Sequence, residues 1–254
     1  MTDESKPVLY SADGFLARII LNRPDKRNAL NEAMISGLKD SLAEAEQNEA
    51  VRAVTISGAG SDFCSGADLA ALQKISNASV AENLDDARSL MELFLLIRRL
   101  KIPVVAVVRG RALAGGCGLA SACDLVLAST TARFGYPEVK IGFVPAMVMA
   151  ILRRNVPEKR AFELLTSGLE ISAEQAKVLG LVNEVFSDDS FDQAVKDYVG
   201  RFENASRSAV SLTKRLLYQV DGMPFSQALE AGVDTNVIAR MTADCRQGIK
   251  RFLK

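Results

Sequence analysis

Four short segments hold the residue types from which a reaction could be built. In Phe134-Gly135-Tyr136-Pro137-Glu138-Val139-Lys140-Ile141-Gly142, a carboxylate follows a proline and sits among apolar residues. Burial raises the pKa of such a carboxyl toward values useful for acid–base work. Two further segments couple small residues to turns: Phe63-Cys64-Ser65-Gly66-Ala67-Asp68-Leu69 and Gly110-Arg111-Ala112-Leu113-Ala114-Gly115-Gly116-Cys117-Gly118. Small residues let a ligand approach the backbone, and a helix N-terminus offers unpaired N–H donors. Two such donors aimed at one oxygen form an oxyanion hole. The fourth segment, Leu21 to Leu30, gathers Arg23, Lys26 and Arg27 beside a turn and a helix start, a cluster that can hold phosphates. Taken singly, each has a plain alternative: a salt-bridged surface glutamate, glycines that let a helix pack closely on a strand, or a solvated charge run.

The elements around these segments are legible from periodicity. Phe15 to Leu21 reads as a strand, and Leu30, Met34, Leu38 and Leu42 recur at four-residue spacing as one helical stripe. Val51 to Ser57 reads as a strand, Asn83 to Leu100 as an amphipathic helix, and Pro103 to Val108 as a strand buried on both faces. A small-residue helix and the strand Asp124 to Ala128 follow. Beyond Pro157 helices dominate: 161–165, 173–179, 191–202, 209–220 and 226–239, with a last short strand at 182–186. The pattern predicts an α/β core with a C-terminal helical region, divided as 1–195 and 196–254, the second part packing on neighbouring subunits.

Composition excludes much. Among 254 residues there is no histidine, so no His-based triad, Cys-His dyad or His-ligated metal site can form. Neutral-pH proton transfer must use a carboxylate, Lys, Tyr, Cys or a water they hold. Cationic and anionic residues balance at 31 each, leaving no field to gather nucleic acid or an anionic membrane. No apolar run approaches the ~20 residues of a membrane helix, and the polar start Met1–Pro7 is unlike a secretory signal. Cys64, Cys117, Cys123 and Cys245 show no C-x-x-C pair or disulfide spacing and read as reduced thiols of a cytoplasmic protein. Gly116-x-Gly118 is followed by Ser121 where a dinucleotide fingerprint needs its third glycine, and Ser65 lacks the G-x-S-x-G setting of a hydrolase.

From about residue 8 onward, the order and spacing of the four segments resemble the crotonase, or enoyl-CoA hydratase/isomerase, family. The resemblance implies a spiral of β-β-α units with a C-terminal helical trimerisation region, assembled as a homotrimer or hexamer. It implies that the N–H groups of Ala67 and Gly115 form an oxyanion hole around a thioester oxygen, with Glu138 as acid and base. Lys26 and Arg27 would lie near the phosphates of CoA, Ala29 by its backbone near adenine, and Phe252 near the CoA of a neighbouring subunit. No cofactor is implied, since CoA belongs to the substrate, and no metal.

The departure is Gly118. Hydratases of this family typically carry a second Glu there, and the pair holds the water that adds across the double bond. One carboxylate suffices to move a proton, so the resemblance with this departure points to isomerisation of a 3-enoyl-CoA to a 2-enoyl-CoA. The alternatives are hydration with a substitute acid and a non-catalytic acyl-CoA-binding protein. The stretch Glu138 to Val148 is similar to that of some methylglutaconyl-CoA-type hydratases, including ones with Gly in place of the second Glu, which points to hydration of a branched substrate.

Overall fold

The structure, a computed structural model, describes residues 6–253, so Met1–Ser5 of the polar start, and Lys254, lie outside the described residues. A hairpin of β1 (Val8–Asp13) and β2 (Leu16–Leu21) turns at Gly14, which adopts a positive φ of 56°. Helix α1 (Glu32–Gln47) leads to β3 (Ala53–Gly58), and α2 (Leu69–Asn77) and α3 (Val80–Arg99) lead to β4 (Val104–Val108). Next come β5 (Arg111–Leu113), α4 (Gly115–Ala122), β6 (Leu125–Ser129) and β7 (Arg133–Gly135). Helices α5 (Ala146–Asn155) and α6 (Glu158–Ser167) precede β8 (Glu170–Ser172), α7 (Ala173–Val178) and β9 (Glu184–Phe186). Four helices follow: α8 (Phe191–Gly200), α9 (Arg207–Gln219), α10 (Phe225–Met241) and α11 (Ala243–Phe252).

The main sheet runs β1-β2-β3-β4-β6-β9, antiparallel only between β1 and β2. Alternation of side chains along a strand divides its residues between two faces. Ile19, Leu21, Val54, Ile56, Val104, Ala106, Val126 and Ala128 join Met34, Leu38 and Leu42 of α1 and Leu93 and Ile97 of α3 in the major core. Leu16, Ala53, Val105 and Leu127 face the other way and pack with Val199 of α8. Both faces of β4 are therefore covered, which is why its sequence is a continuous apolar run. Local signals agree with the elements: Asn31 caps α1 by accepting from the Met34 N–H at 2.9 Å, and Ser79 with Glu82 forms a capping box on α3.

A second sheet, β5-β7-β8, was not legible in the sequence. Its strands are three residues each, too short for a period of two to register. It nevertheless carries the candidate site.

The boundary at residue 195 falls inside α8, which covers the chain's own sheet. Helix α9 is also tied inward. The nearly buried Lys214 ammonium donates to Ile97 O at 2.8 Å, Ile102 O at 3.0 Å and Asp124 Oδ2 at 2.6 Å, while Tyr218 donates to Asp124 Oδ1 at 2.8 Å. Helices α10 and α11 bury none of their described residues, and Phe225, Leu229, Val233 and Val237 of α10 are exposed. Among the described residues no helix is long and apolar enough to cross a membrane.

Candidate active site

The small sheet lashes three loops together. Cys64 N–H donates to Arg111 O at 3.0 Å, and Leu113 N–H donates back to Cys64 O at 2.9 Å, so the chain before Ala67 runs parallel to β5. β5 pairs with β7, and Ala114 N–H donates to Gly135 O at 2.8 Å. Glu138 lies three residues beyond that anchor, so its position relative to the start of α4 is set by backbone hydrogen bonds. On the far side of the 64–68 segment, Leu30 N–H donates to Gly66 O at 2.7 Å and Asp68 N–H donates to Leu30 O at 3.0 Å.

That pattern leaves the Ala67 N–H facing away from Leu30, because alternate amides of a paired extended chain point to opposite sides. Gly115 opens α4, where the first amides have no intrahelical partner. Among the described residues neither of these two N–H groups meets a hydrogen-bond acceptor. The two loops are in contact: a Cβ built on Gly66 would lie 2.7 Å from Ala114 Cβ and 3.5 Å from Gly115 N. Only glycine fits at 66, and its φ of 98° is also one that glycine alone adopts easily. Ala114, at φ 50° and ψ −127°, holds a strained backbone to turn β5 into α4. Such conformations cost of order 1–3 kcal/mol and persist where surrounding structure enforces them.

Glu138 sits in a 3-10 turn spanning Pro137–Ile141 and is half-buried. Its Oε2 is buried and has no hydrogen-bond partner among the described residues. Burial pushes its carboxyl pKa above the ordinary glutamate value, opposed by its own N–H. A carboxyl raised in this way suits acid–base chemistry. The turn before it is bolted down: Ser121 Oγ donates to Cys117 O at 2.6 Å, leaving its oxygen to accept from the buried Tyr136 hydroxyl at 3.2 Å.

Lys26 and Arg27 are exposed, whereas Ala29 is buried. Arg27 and Asn28 both adopt left-handed backbone, at φ 48° and 54°. Asn28 is fully buried; its Oδ1 accepts from Arg23 N–H at 2.9 Å, and its Nδ2 donates to Ala59 O at 2.9 Å and Asp62 O at 2.8 Å. Ala29 N–H donates to Lys26 O at 3.0 Å, and Ala29 O accepts from Arg23 Nη1 at 2.7 Å. That carbonyl keeps a second lone pair. Phe252 lies near the end of α11, 91 % exposed, away from any burial by its own chain.

Gly118 is buried on α4, and the space in front of it is filled. A Cβ built there would lie 2.2 Å from Val148 Cγ1 of α5 and 3.3 Å from Phe94 Cζ of α3.

Comparison with known proteins identifies the arrangement. The enoyl-CoA hydratase/isomerase family model matches residues 12–254. The chain belongs to the enoyl-CoA hydratase/isomerase family. A Thermus thermophilus protein provisionally named an enoyl-CoA hydratase is 39% identical over 241 residues, 95% of each chain. The crotonyl-CoA hydratase of Syntrophomonas wolfei is 33% identical, over 97% of this chain and 95% of its own. Among solved structures, an enoyl-CoA hydratase of Mycobacterium smegmatis superimposes with a TM-score of 0.93 at 33% identity, covering 97% of this chain and 96% of its own. The enoyl-CoA hydratase/isomerase family acts on acyl-CoA thioesters, and the crotonase-type α/β fold expected from the motifs is the one present.

Three residues of the site went unnoticed in the sequence: Asp68, Asn28 and Val148. Asp68 and Asn28 act by capping and bracing loops, a role the Asx type allows but does not announce. Val148 stood out in the sequence only as the end of the stretch Glu138 to Val148.

Proposed function

We propose that the chain is an acyl-CoA isomerase that moves a carbon–carbon double bond from the 3- to the 2-position of an enoyl thioester. The observation that carries this reading is Glu138 itself, a half-buried carboxylate with a raised pKa whose buried Oε2 has no hydrogen-bond partner among the described residues. With the thioester oxygen held by the N–H groups of Ala67 and Gly115, Glu138 takes a proton from Cα. The C–H electrons enter the Cα–carbonyl bond and negative charge collects on the oxygen. Protonation at Cγ by the same carboxyl then shifts the double bond into conjugation, and the thioester keeps its mass. Lys26 and Arg27 hold phosphates of CoA, and Ala29 meets the adenine. The exposed apolar face of α9 and α10, with Phe225, Leu229 and Val233, is covered by another copy of the chain in a trimer or hexamer, where Phe252 reaches the neighbour's CoA. The free cysteines suit a reducing, cytoplasmic setting.

Hydration is the second reading, favoured by names such as 2,3-dehydroadipyl-CoA hydratase of Escherichia coli, 32% identical over 237 residues. It requires an acid other than residue 118.

The deciding experiment incubates paired 2-enoyl-CoA and 3-enoyl-CoA substrates, straight-chain and branched, and follows products by mass and ultraviolet absorbance. A conjugated product of unchanged mass supports isomerisation. Gain of one water from the 2-enoyl substrate overturns it in favour of hydration.

A further inference from the structure

The space beyond Gly118 is hydrocarbon. Carbon atoms in contact sit about 3.5–4.0 Å apart, yet the first carbon of any side chain at 118 would come within 2.2 Å of Val148 Cγ1 and 3.3 Å of Val148 Cβ. Phe94 closes the same space at 3.3 Å. All three residues are buried: Val148 is 4% exposed and Phe94 5%. Val148 is held by α5, which packs along α4, and Phe94 by α3, which also contacts α4. The lining is therefore part of the core and would not swing aside to admit a polar group. The helix bearing Gly118 and the turn bearing Glu138 are tied together twice, by Ala114 N–H on Gly135 O at 2.8 Å and by the Ser121 and Tyr136 hydroxyls at 3.2 Å, so this hydrocarbon wall and the carboxylate belong to the same corner of the fold.

We infer that Val148, backed by Phe94, decides the reaction by occupying the place where a second acid and its water would stand. Gly118 alone does not make the site a one-carboxylate site; the Gly118–Val148 pair does. This rests on the one-carboxylate reading of Glu138. It follows that Glu at 118 cannot be accommodated until residue 148 is cut back. With both changes, water can add to a 2-enoyl thioester. Its oxygen bonds to Cβ, its proton goes to Glu138, and the introduced acid protonates Cα, so that the thioester gains one water.

The test has a steric arm and a chemical arm. In the steric arm, Tm is measured for Gly118→Ala, Val148→Ala and the double variant. Gly118→Ala should lower Tm by roughly 3–10 °C through overpacking. In the Val148→Ala background the same change should be neutral or raise Tm, since Ala is the better helix former. An equal effect in both backgrounds would overturn the steric pairing, whatever the enzyme catalyses. In the chemical arm, Gly118→Glu and Gly118→Glu/Val148→Gly are assayed for water addition to a 2-enoyl-CoA beside the wild type. The double variant should exceed the single one by on the order of 100-fold, the scale of one general acid. A folded double variant without that gain, beside a wild type that isomerises, would remove Val148 from its role and leave the isomerase reading standing. A wild type that itself adds water overturns the one-carboxylate reading beneath the inference.

Discussion

The Arg23 guanidinium clasps Asp68 at 2.6 Å, joining the loop that carries Lys26 and Arg27 to the loop that carries Ala67. The same guanidinium donates to Ala29 O at 2.7 Å, so one planar fork braces the 26–29 loop and the 66–68 loop together. Asp68 also caps α2, accepting from Ala70 N–H at 2.9 Å.

Arg23→Lys keeps the charge and loses the fork. It should reduce kcat/KM about 10–100-fold, the scale at which small displacements of positioning groups act, measured with a 3-enoyl-CoA. Hydrogen bonding from Arg23 holds the Asp68 carboxyl below its ordinary 3.8, so its stabilisation is present above that value and fades as pH falls through the lower, folded one. The Tm gap between wild type and Asp68→Asn should therefore be full at pH 7 and close below about pH 4. A gap independent of pH would refute the electrostatic part.

Glu138→Gln should cut kcat by about 100–10,000-fold while CoA affinity, read by calorimetry, stays within a few-fold. The raised pKa of Glu138 gives a second expectation. A carboxyl whose folded pKa lies above its unfolded one destabilises the fold once pH exceeds both. At pH 8 the Gln variant should melt at or above the wild-type temperature, and this advantage should vanish near pH 4. A lower melting temperature at pH 8 would show that the carboxylate is structurally required.

Gly116 lies where Cys64 crosses α4; a Cβ built there would meet Cys64 O at 2.3 Å and Cys64 Sγ at 2.7 Å. Gly116→Ala should cost about 1–3 kcal/mol and, by moving the two oxyanion loops apart, lower kcat more than it raises KM. Urea unfolding and steady-state kinetics on one preparation check both.

Removing the Lys214 side chain leaves the Asp124 carboxylate largely buried beside a carbonyl pair. Lys214→Ala should destabilise by roughly 3–5 kcal/mol, and adding Asp124→Asn should recover part of that loss. Full additivity in urea titrations would mean the pair is not coupled.

Leu229→Glu places a charge on the exposed apolar face of α10. Light scattering after size exclusion should show the wild type as a trimer or hexamer and the variant shifted toward monomer. An unchanged mass would move the subunit contact elsewhere.

Several of these features were readable in advance. The stripe Met34-Leu38-Leu42 dictated α1, and the apolar run Val104–Val108 dictated a strand covered on both faces. The lack of histidine narrowed the proton-transfer groups to a few types before any fold was known, and the family resemblance pointed to Glu138 among them. Segment order alone was enough to signal the family, because glycines at fixed spacing record where backbone must pass close to backbone.

Tertiary structure decided the rest. The small sheet escaped notice because three-residue strands draw their stability from partners far away in sequence, leaving no local period. The Arg23–Asp68 clasp spans 45 residues, and nothing in either neighbourhood names the other. Gly118 was visible as a missing carboxylate, yet only the folded chain shows that Val148 fills the gap. Sequence spacing reports which groups a chain possesses and how each stretch is inclined to fold. Which groups share a cavity, and what keeps water from joining them, depends on contacts between distant segments that only packing creates.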